Sequence, residues 1–339
     1  MAWLYTDLCE CLMTTDSLDV LLPRLDQLRS ALGQAVVGQH AVVEQLLIGL
    51  LAGGHCLLEG APGLGKTLLV RSLGQALELQ FRRVQFTPDL MPSDILGTEL
   101  LEEDHGTGHR HFRFQKGPIF THLLLADELN RTPPKTQAAL LEAMQERTVS
   151  YAGTTYALPA PFFVLATQNP IEQAGTYPLP EAQLDRFLLH VRVDYPTEQE
   201  ERDILLQTTG SATGSVPKVM HAEDVLALQA AVRQVHISED VLTWITRLVR
   251  ASRPGSDAPA AVNQWIKWGA GPRAGQSLVL AAKARALLQG RFAATREDVQ
   301  ALAAPVMRHR LLLSFAAEAE QKSADDVVAA LLQAVPFPG

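Results

Sequence analysis

The chain has 339 residues, 47% hydrophobic and 19% charged, with 37 acidic side chains against 29 Lys and Arg, for a formal net charge of −8. This length supports two domains, or one large α/β domain with an appendage, and the acidic balance argues against a global footprint for nucleic acid or anionic membrane. Three cysteines (Cys9, Cys11, Cys56) are too few for a disulfide framework, and no apolar run approaches the ~18 residues of a membrane span. The opening MAWLYTDLCECLM carries acids instead of the basic stretch of a signal peptide, so a soluble, cytoplasmic protein is expected. Cys9-x-Cys11 has no second ligand pair at zinc-finger spacing and reads as small thiols on a helix.

Residues 1–35 carry no motif and read as a helical segment. A helix pattern over Gln39–Ala52 precedes a short strand, His55–Glu59. The residues that follow, Gly60-Ala61-Pro62-Gly63-Leu64-Gly65-Lys66-Thr67, fit the phosphate-loop pattern G-x-x-x-x-G-K-[ST] and run through Leu68 into a helix pattern ending at Leu79. A bare Gly/Pro turn would also end a strand, but the strand–loop–helix context favours phosphate. Backbone N–H groups and the helix N-terminus face the anion, Lys66 reaches the terminal phosphates, and the Thr67 hydroxyl can ligate Mg²⁺.

Four more apolar runs follow: Phe81–Phe86, His122–Asp127, Phe162–Thr167 and Phe187–Val193, with a helix at Lys135–Glu146. Near-continuous apolar runs alternating with helices predict an α/β fold with a parallel sheet covered on both faces. Two insertions, over 97–118 and 146–161, read as hairpins, with turns at Asp104–Gly108 and Ala152-Gly153. The first holds His105, His109, Arg110, His111, Arg113 and Lys116. It has no carboxylate or thiol at ligand spacing, so it reads as a solvated basic loop that could grip an acidic partner.

Leu123-Leu124-Leu125-Ala126-Asp127-Glu128 is an apolar strand ending in two acids. Downstream of a phosphate loop, Asp127 suits Mg²⁺ and Glu128 suits the deprotonation of water. Asn169, at the tip of Leu165-Ala166-Thr167-Gln168, could bind the attacking water or the γ-phosphate; alone, Asn169-Pro170 would be only a turn. Arg186, after Leu184-Asp185, could reach a neighbouring subunit's nucleotide or simply pair with Asp185 or Glu181. Arg273, in Gly271-Pro272-Arg273-Ala274, opens a helix from which a lid could close on the phosphates. Beyond Pro196 the chain is Ala/Leu-rich and helix-periodic, with cap signals at Ser238, Thr295-x-x-Asp298 and Ser323-x-x-Asp326. Ser252–Gly271, broken by Pro254, Gly255, Pro259 and Gly269, reads as an exposed connection.

The strings GAPGLGKT, LLLADELNRTPPKTQAALLEAMQE, LATQNP, GTYPLPEAQLDRF and GAGPRA together resemble the MoxR family of AAA+ ATPases, from about Val36 to the C-terminal helices. The resemblance implies a five-stranded αβα P-loop core (36–196) with a C-terminal all-helical lid (197–339). It also implies a ring, usually hexameric, with ATP between subunits, and hairpins bordering a pore. By the same resemblance Lys66 and Thr67 hold phosphate and Mg²⁺, Asp127 is the second Mg²⁺ residue and Glu128 the catalytic base. Asn169 becomes sensor 1, Arg186 the trans-acting finger and Arg273 sensor 2, acting in cis or in trans, while Val37-Gly38-Gln39 line the adenine. GAGPRA departs from an expected GASPRA, leaving Arg273 in place.

The function implied is chaperone-like remodelling of protein clients, with partners that carry a von Willebrand factor A domain. A nucleic-acid motor on the same core is the first alternative, disfavoured by the acidic balance and the lack of chain for an added DNA-binding domain. A nucleotide-gated switch of low turnover is the second; it has no need of Glu128 and Arg186.

Overall fold

The computed structural model describes residues 15–61, 63–103, 110–169, 175–209 and 216–338. Cys9, Cys11, Pro62, His105, His109, Pro170 and the turn at Asp104–Gly108 lie outside the described residues.

The apolar runs become strands. In chain order these are β1 (Cys56–Gly60), β2 (Phe81–Gln85), β3 (Gly97–Glu103), β4 (Arg110–Lys116), β5 (Leu123–Asp127), β6 (Thr148–Tyr151), β7 (Thr154–Ala157), β8 (Phe163–Gln168) and β9 (Leu189–Val193). Five of them form one parallel sheet in the order β2-β5-β8-β1-β9. The central strands β5, β8 and β1 are buried nearly throughout, as continuous apolar runs require, whereas the edge strand β9 alternates. In β2, Arg82 and Arg83 are exposed, because an edge strand has only part of its surface covered. Register pairs Gln85 with Asp127, Ala126 with Ala166, and Glu59 with Gln168, so the carboxyl ends of four strands finish at one rim.

Helices α1 (Thr15–Ala35), α2 (His40–Leu51) and α3 (Lys66–Ala76) pack on one face of the sheet. On the other lie α4 (Pro92–Leu96) and α5 (Pro134–Glu146). In α1, Leu21, Leu25, Leu28 and Leu32 recur at helical spacing and are buried, so this segment helps cover the sheet. Helix α3 starts at Lys66, two residues earlier than its apolar pattern, and ends at Ala76, where Glu78 turns left-handed at φ 50 and Leu79 N–H bonds the Gly74 carbonyl at 3.0 Å.

Strands β3 and β4 pair as an antiparallel hairpin, and so do β6 and β7. The second turns at Ala152 (φ 47) and Gly153 (φ 81), the double positive φ that matches the twist of a two-residue hairpin. Along the first, Arg110 meets Glu103 at 2.9 Å and Arg113 meets Glu102 at 3.3 Å. Arg110 and Arg113 are thus paired within the hairpin itself, whereas Lys116 lies over the Phe120 ring.

The remaining helices are α6 (Glu181–Leu184), α7 (Glu198–Thr209), α8 (Ala222–Gln234), α9 (Glu239–Ala251), α10 (Ala260–Trp265), α11 (Pro272–Leu288), α12 (Arg296–Met307), α13 (Phe315–Ala319) and α14 (Ala324–Ala334). Those from α8 onward form a lid around Trp244, Leu278, Val299 and Val327, continuous with the core over the α2 face of the sheet. Capping boxes at Thr295/Asp298 and Ser323/Asp326 start α12 and α14, and the Ser238 hydroxyl accepts from Val241 N–H at α9. The lid also holds two short strand pairs.

The expectation of an exposed connection over 252–271 holds for 253–257 and is corrected beyond it. Pro259 precedes α10, and Ile266–Trp268 pairs antiparallel with Leu312–Leu313. Val262 and Ile266 are buried, and the Asn263 amide both accepts from Gly255 N–H and donates to its carbonyl. Pro259 and Gly269 punctuate packed structure, whereas Pro254 and Gly255 stand in the exposed turn.

Candidate functional site

The loop between β1 and α3 is shaped by three glycines with separate reasons. At Gly60 a Cβ would lie 2.6 Å from the Val193 carbonyl oxygen, so only glycine lets β1 run beside β9. Gly63 (φ 83) and Gly65 (φ 73) are left-handed, with open space where a Cβ would stand. The Lys66 ammonium folds across the loop and donates to the Gly60 carbonyl at 2.6 Å. Burial lowers its pKa, opposed by the charges of Asp127, Glu128 and Glu59.

Across a cleft of about 390 Å³ stand the residues of the neighbouring strand ends. Its walls include Gly63, Gly65, Lys66, Thr67 and Leu68 on one side and Asp127, Glu128, Thr167 and Asn169 on the other. The sheet register brings them together, because β8 lies between β1 and β5 and all three end at the same carboxyl rim, the position where open α/β sheets bind ligands. Thr167 Oγ1 donates to Asp127 Oδ1 at 2.6 Å and accepts from Glu128 N–H at 2.8 Å, tying the two acids to β8. Glu128 is left-handed (φ 58, ψ 48), an uncommon conformation for a non-glycine residue that turns its carboxylate into the cleft.

Four further residues shape this cleft that the motifs did not flag. Arg83 bonds Asp127 Oδ2 through Nη2 at 2.6 Å and Nε at 3.0 Å, and also donates to Gln85 Oε1 at 2.9 Å. Gln85 Nε2 donates to Glu128 Oε2 at 2.5 Å, and Arg131 Nε lies 3.1 Å from the same oxygen. Thr167 is the fourth. The available signal was the polar pair Arg83 and Gln85, two apart on one face of the strand. Buried Gln137 donates to the carbonyls of Thr132 and Tyr177, at 3.1 and 3.0 Å, fixing the chain beyond Glu128.

The residues present fit a nucleoside triphosphate with Mg²⁺. The loop offers a cradle without side chains at Gly63 and Gly65, and Lys66 faces it. Gln39 Nε2 donates to the Leu64 carbonyl at 2.8 Å, linking Val37-Gly38-Gln39 to the loop, while Gln39 Oε1 is buried with no partner among the described residues. Gly38 (φ 77) leaves no room for a side chain, as a Cβ would meet Glu200 at 2.6 Å. Thr67 and Asp127 are hard oxygen donors, and no group of three His, Cys, Asp or Glu stands ready for a metal among the described residues. Such sparse protein ligation suits Mg²⁺ held jointly with phosphate oxygens.

Arg186 and Arg273 are not in this cleft. Both line a separate one of about 210 Å³, with Gly54, His55, Met144 and Asp185. Arg186 makes no ion pair among the described residues, so pairing with Asp185 or Glu181 does not occupy it. Asp185 instead meets Arg310 at 2.7 Å and Arg273 at 3.7 Å.

A strand-order β2-β5-β8-β1-β9 P-loop sheet with a helical lid defines the class of AAA-type ATPases. Residues 55–189 match the ATPase family associated with various cellular activities (AAA), and residues 259–331 match the AAA lid domain. The chain is 42% identical to Chaperone MoxR1 of Mycobacterium tuberculosis over 304 residues, covering 89% of this chain and 79% of that protein. It is 34% identical to Protein MoxR of Paracoccus denitrificans, covering 93% and 96%. A crystal structure of a Cytophaga hutchinsonii protein, 40% identical, superposes with a TM-score of 0.88 over 96% of this chain and 98% of that one. The chain belongs to the MoxR family of AAA+ ATPases, and it is an ATPase. No helix among the described residues is long and apolar enough to cross a membrane.

Proposed function

We propose that this protein hydrolyses ATP with Mg²⁺ as a ring of identical subunits, usually six in the family it belongs to, and couples turnover to chaperone-like remodelling of protein clients. The observation that carries this reading is the separation of the two clefts. Lys66, Thr67, Asp127, Glu128 and Asn169 surround one, while Arg186 and Arg273 share another. The arginines beside a subunit's own phosphate cleft, Arg83 and Arg131, are engaged by Asp127 and Glu128, and a neighbour that turns its Arg186/Arg273 cleft toward the phosphate cleft would supply two more.

In this reading Lys66 binds the β/γ-phosphates, and Thr67 and Asp127 would hold Mg²⁺, which would neutralise phosphate charge when bound. Val37-Gly38-Gln39 line the base. Glu128 takes the proton of the attacking water, and Asn169 orients that water. Arg186 and Arg273 act in trans; an arginine finger supplies about 10³–10⁵ in kcat. The organisation is a helical segment over 1–35, the nucleotide domain over 36–196 and the lid over 197–339, with a cytoplasmic location. Protein clients are favoured by the family and by a relative named as a chaperone. The partner class, proteins with a von Willebrand factor A domain, rests on family resemblance. Pairing of Arg110 and Arg113 with Glu103 and Glu102 lowers the net positive charge the hairpin offers to nucleic acid.

The test is turnover per subunit against concentration, with and without Mg²⁺. The rate should climb as subunits associate and vanish on chelation. Mixing Arg186→Ala with Lys66→Ala protein should restore activity at mixed interfaces. A rate flat through dissociation, or no rescue at any ratio, would overturn the ring. Stimulation by duplex DNA and not by a protein partner would favour the motor reading.

A further inference from the structure

We infer that Arg310, which follows α12 where the lid meets the core, is a positioning residue that fixes Arg186 and Arg273 as one rigid pair for presentation to the neighbouring subunit. This rests on the trans reading above and goes beyond it, since no motif marks Arg310.

Its side chain is only 2% exposed, although arginine is rarely buried unless its donors are fully used. Here they are used. Nε donates to Asp185 Oδ1 at 2.7 Å, and Nη2 donates to the carbonyls of Asp185 at 3.2 Å and Phe187 at 2.7 Å. Nη1 donates to the Leu188 carbonyl at 3.3 Å and to that of Val306. Three of these acceptors belong to the backbone of residues 185–188, the segment that carries Arg186. The remaining contact, Nη2 to Ser277 Oγ at 3.2 Å, falls on α11 one helical turn beyond Arg273. Asp185 closes the circuit by facing Arg273 at 3.7 Å.

One planar guanidinium therefore clamps the core segment of one arginine to the lid helix of the other. The fork matters: a lysine can keep the charge near Asp185, but its single nitrogen cannot serve together the Asp185 carboxylate (from Nε), Ser277 (from Nη2) and the Leu188 carbonyl (from Nη1). Without the clamp each arginine keeps its own anchor, but their spacing is no longer set. Because transition-state stabilisation depends on that placement, turnover falls while binding to the subunit's own loop does not.

The experiment uses the full-length Arg310→Lys protein. Nucleotide affinity should stay within twofold of wild type and turnover should drop at least tenfold. Mixed with Lys66→Ala it should regain activity, because the Lys66→Ala subunit offers intact arginines. Mixed with Arg186→Ala it should not, since both variants fail on the same side of the interface. Arg186→Ala with Lys66→Ala is the control for trans action; if that pair gives no rescue, the trans reading falls and this inference falls with it. If the control rescues, then full activity of Arg310→Lys, rescue by Arg186→Ala, or none by Lys66→Ala overturns the role given to Arg310. A general packing defect would instead weaken nucleotide binding and spoil both mixtures. Should Arg310→Lys fail to fold, Asp185→Asn carries the same pattern of expectations from the acceptor side.

Discussion

Replacing Glu128 by Gln separates base chemistry from binding, because the substitution is isosteric and the surrounding donors stay in place. Gln85 at 2.5 Å and Arg131 at 3.1 Å hold one carboxylate oxygen, and the Glu128 N–H is fixed by Thr167 at 2.8 Å. An amide oxygen still accepts from these groups, with a loss of about 1 kcal/mol as a charged acceptor becomes neutral. That is small beside the stability of a domain, so the fold should survive. What disappears is the basic oxygen. A positioned general base contributes about 10²–10⁴ in rate, which at ~1.4 kcal/mol per decade is a barrier rise of about 3–5 kcal/mol. Lys66, Thr67 and Asp127 are untouched, so affinity for nucleotide should hold within a few fold. Phosphate release measured beside binding of a fluorescent ATP analogue reads both quantities. Release within threefold of wild type would refute the role of Glu128 as base. Loss of binding in parallel with turnover would show that the residue holds nucleotide instead.

Gln85→Leu removes one donor from the Glu128 carboxylate and should raise basal phosphate release several-fold, since the freed oxygen is a stronger base; an unchanged or lower rate would count against that restraint. Gly60→Ala forces a Cβ to 2.6 Å from the Val193 carbonyl and should cost about 1–3 kcal/mol in denaturant unfolding, with weakened nucleotide binding as the loop shifts. The third concerns pH. His55 is buried with its pKa lowered from 6.5 to about 4, chiefly by desolvation, so the unfolded chain binds the proton more readily. Its contribution is complete above pH 6.5 and is lost as pH falls toward 4, by about 3 kcal/mol at ~1.4 kcal/mol per pKa unit. Relative to His55→Gln, the wild type should lose that much stability across the window; parallel curves would exclude His55 as the titrating group.

The phosphate loop, the acid pair and the strands were legible because each rests on local chemistry. Gly63 and Gly65 need left-handed backbone, and continuous apolar runs mark β1, β5 and β8 as interior. The edge character of β2 was not legible, since it depends on which strand lies beside which. For the same reason Arg83 and Gln85 escaped notice: they matter only because register sets Gln85 against Asp127. The segment 252–271 misled because Pro and Gly breaks look alike in an exposed loop and in a packed one, and only the burial of Val262 and Ile266 tells them apart.

Taken alone, the sequence pointed to a triphosphate-binding chain and to the acids proposed to cleave it, because those functions need particular residue types at short spacings. It also supplied Arg186 and Arg273, far apart in the chain and without a stated relation. Only the tertiary structure decided that both share one cleft away from the Lys66 loop, because the lid folds α11 against the segment before β9. Long-range packing of that kind is set by the sum of many buried contacts, and no short stretch of residues encodes it.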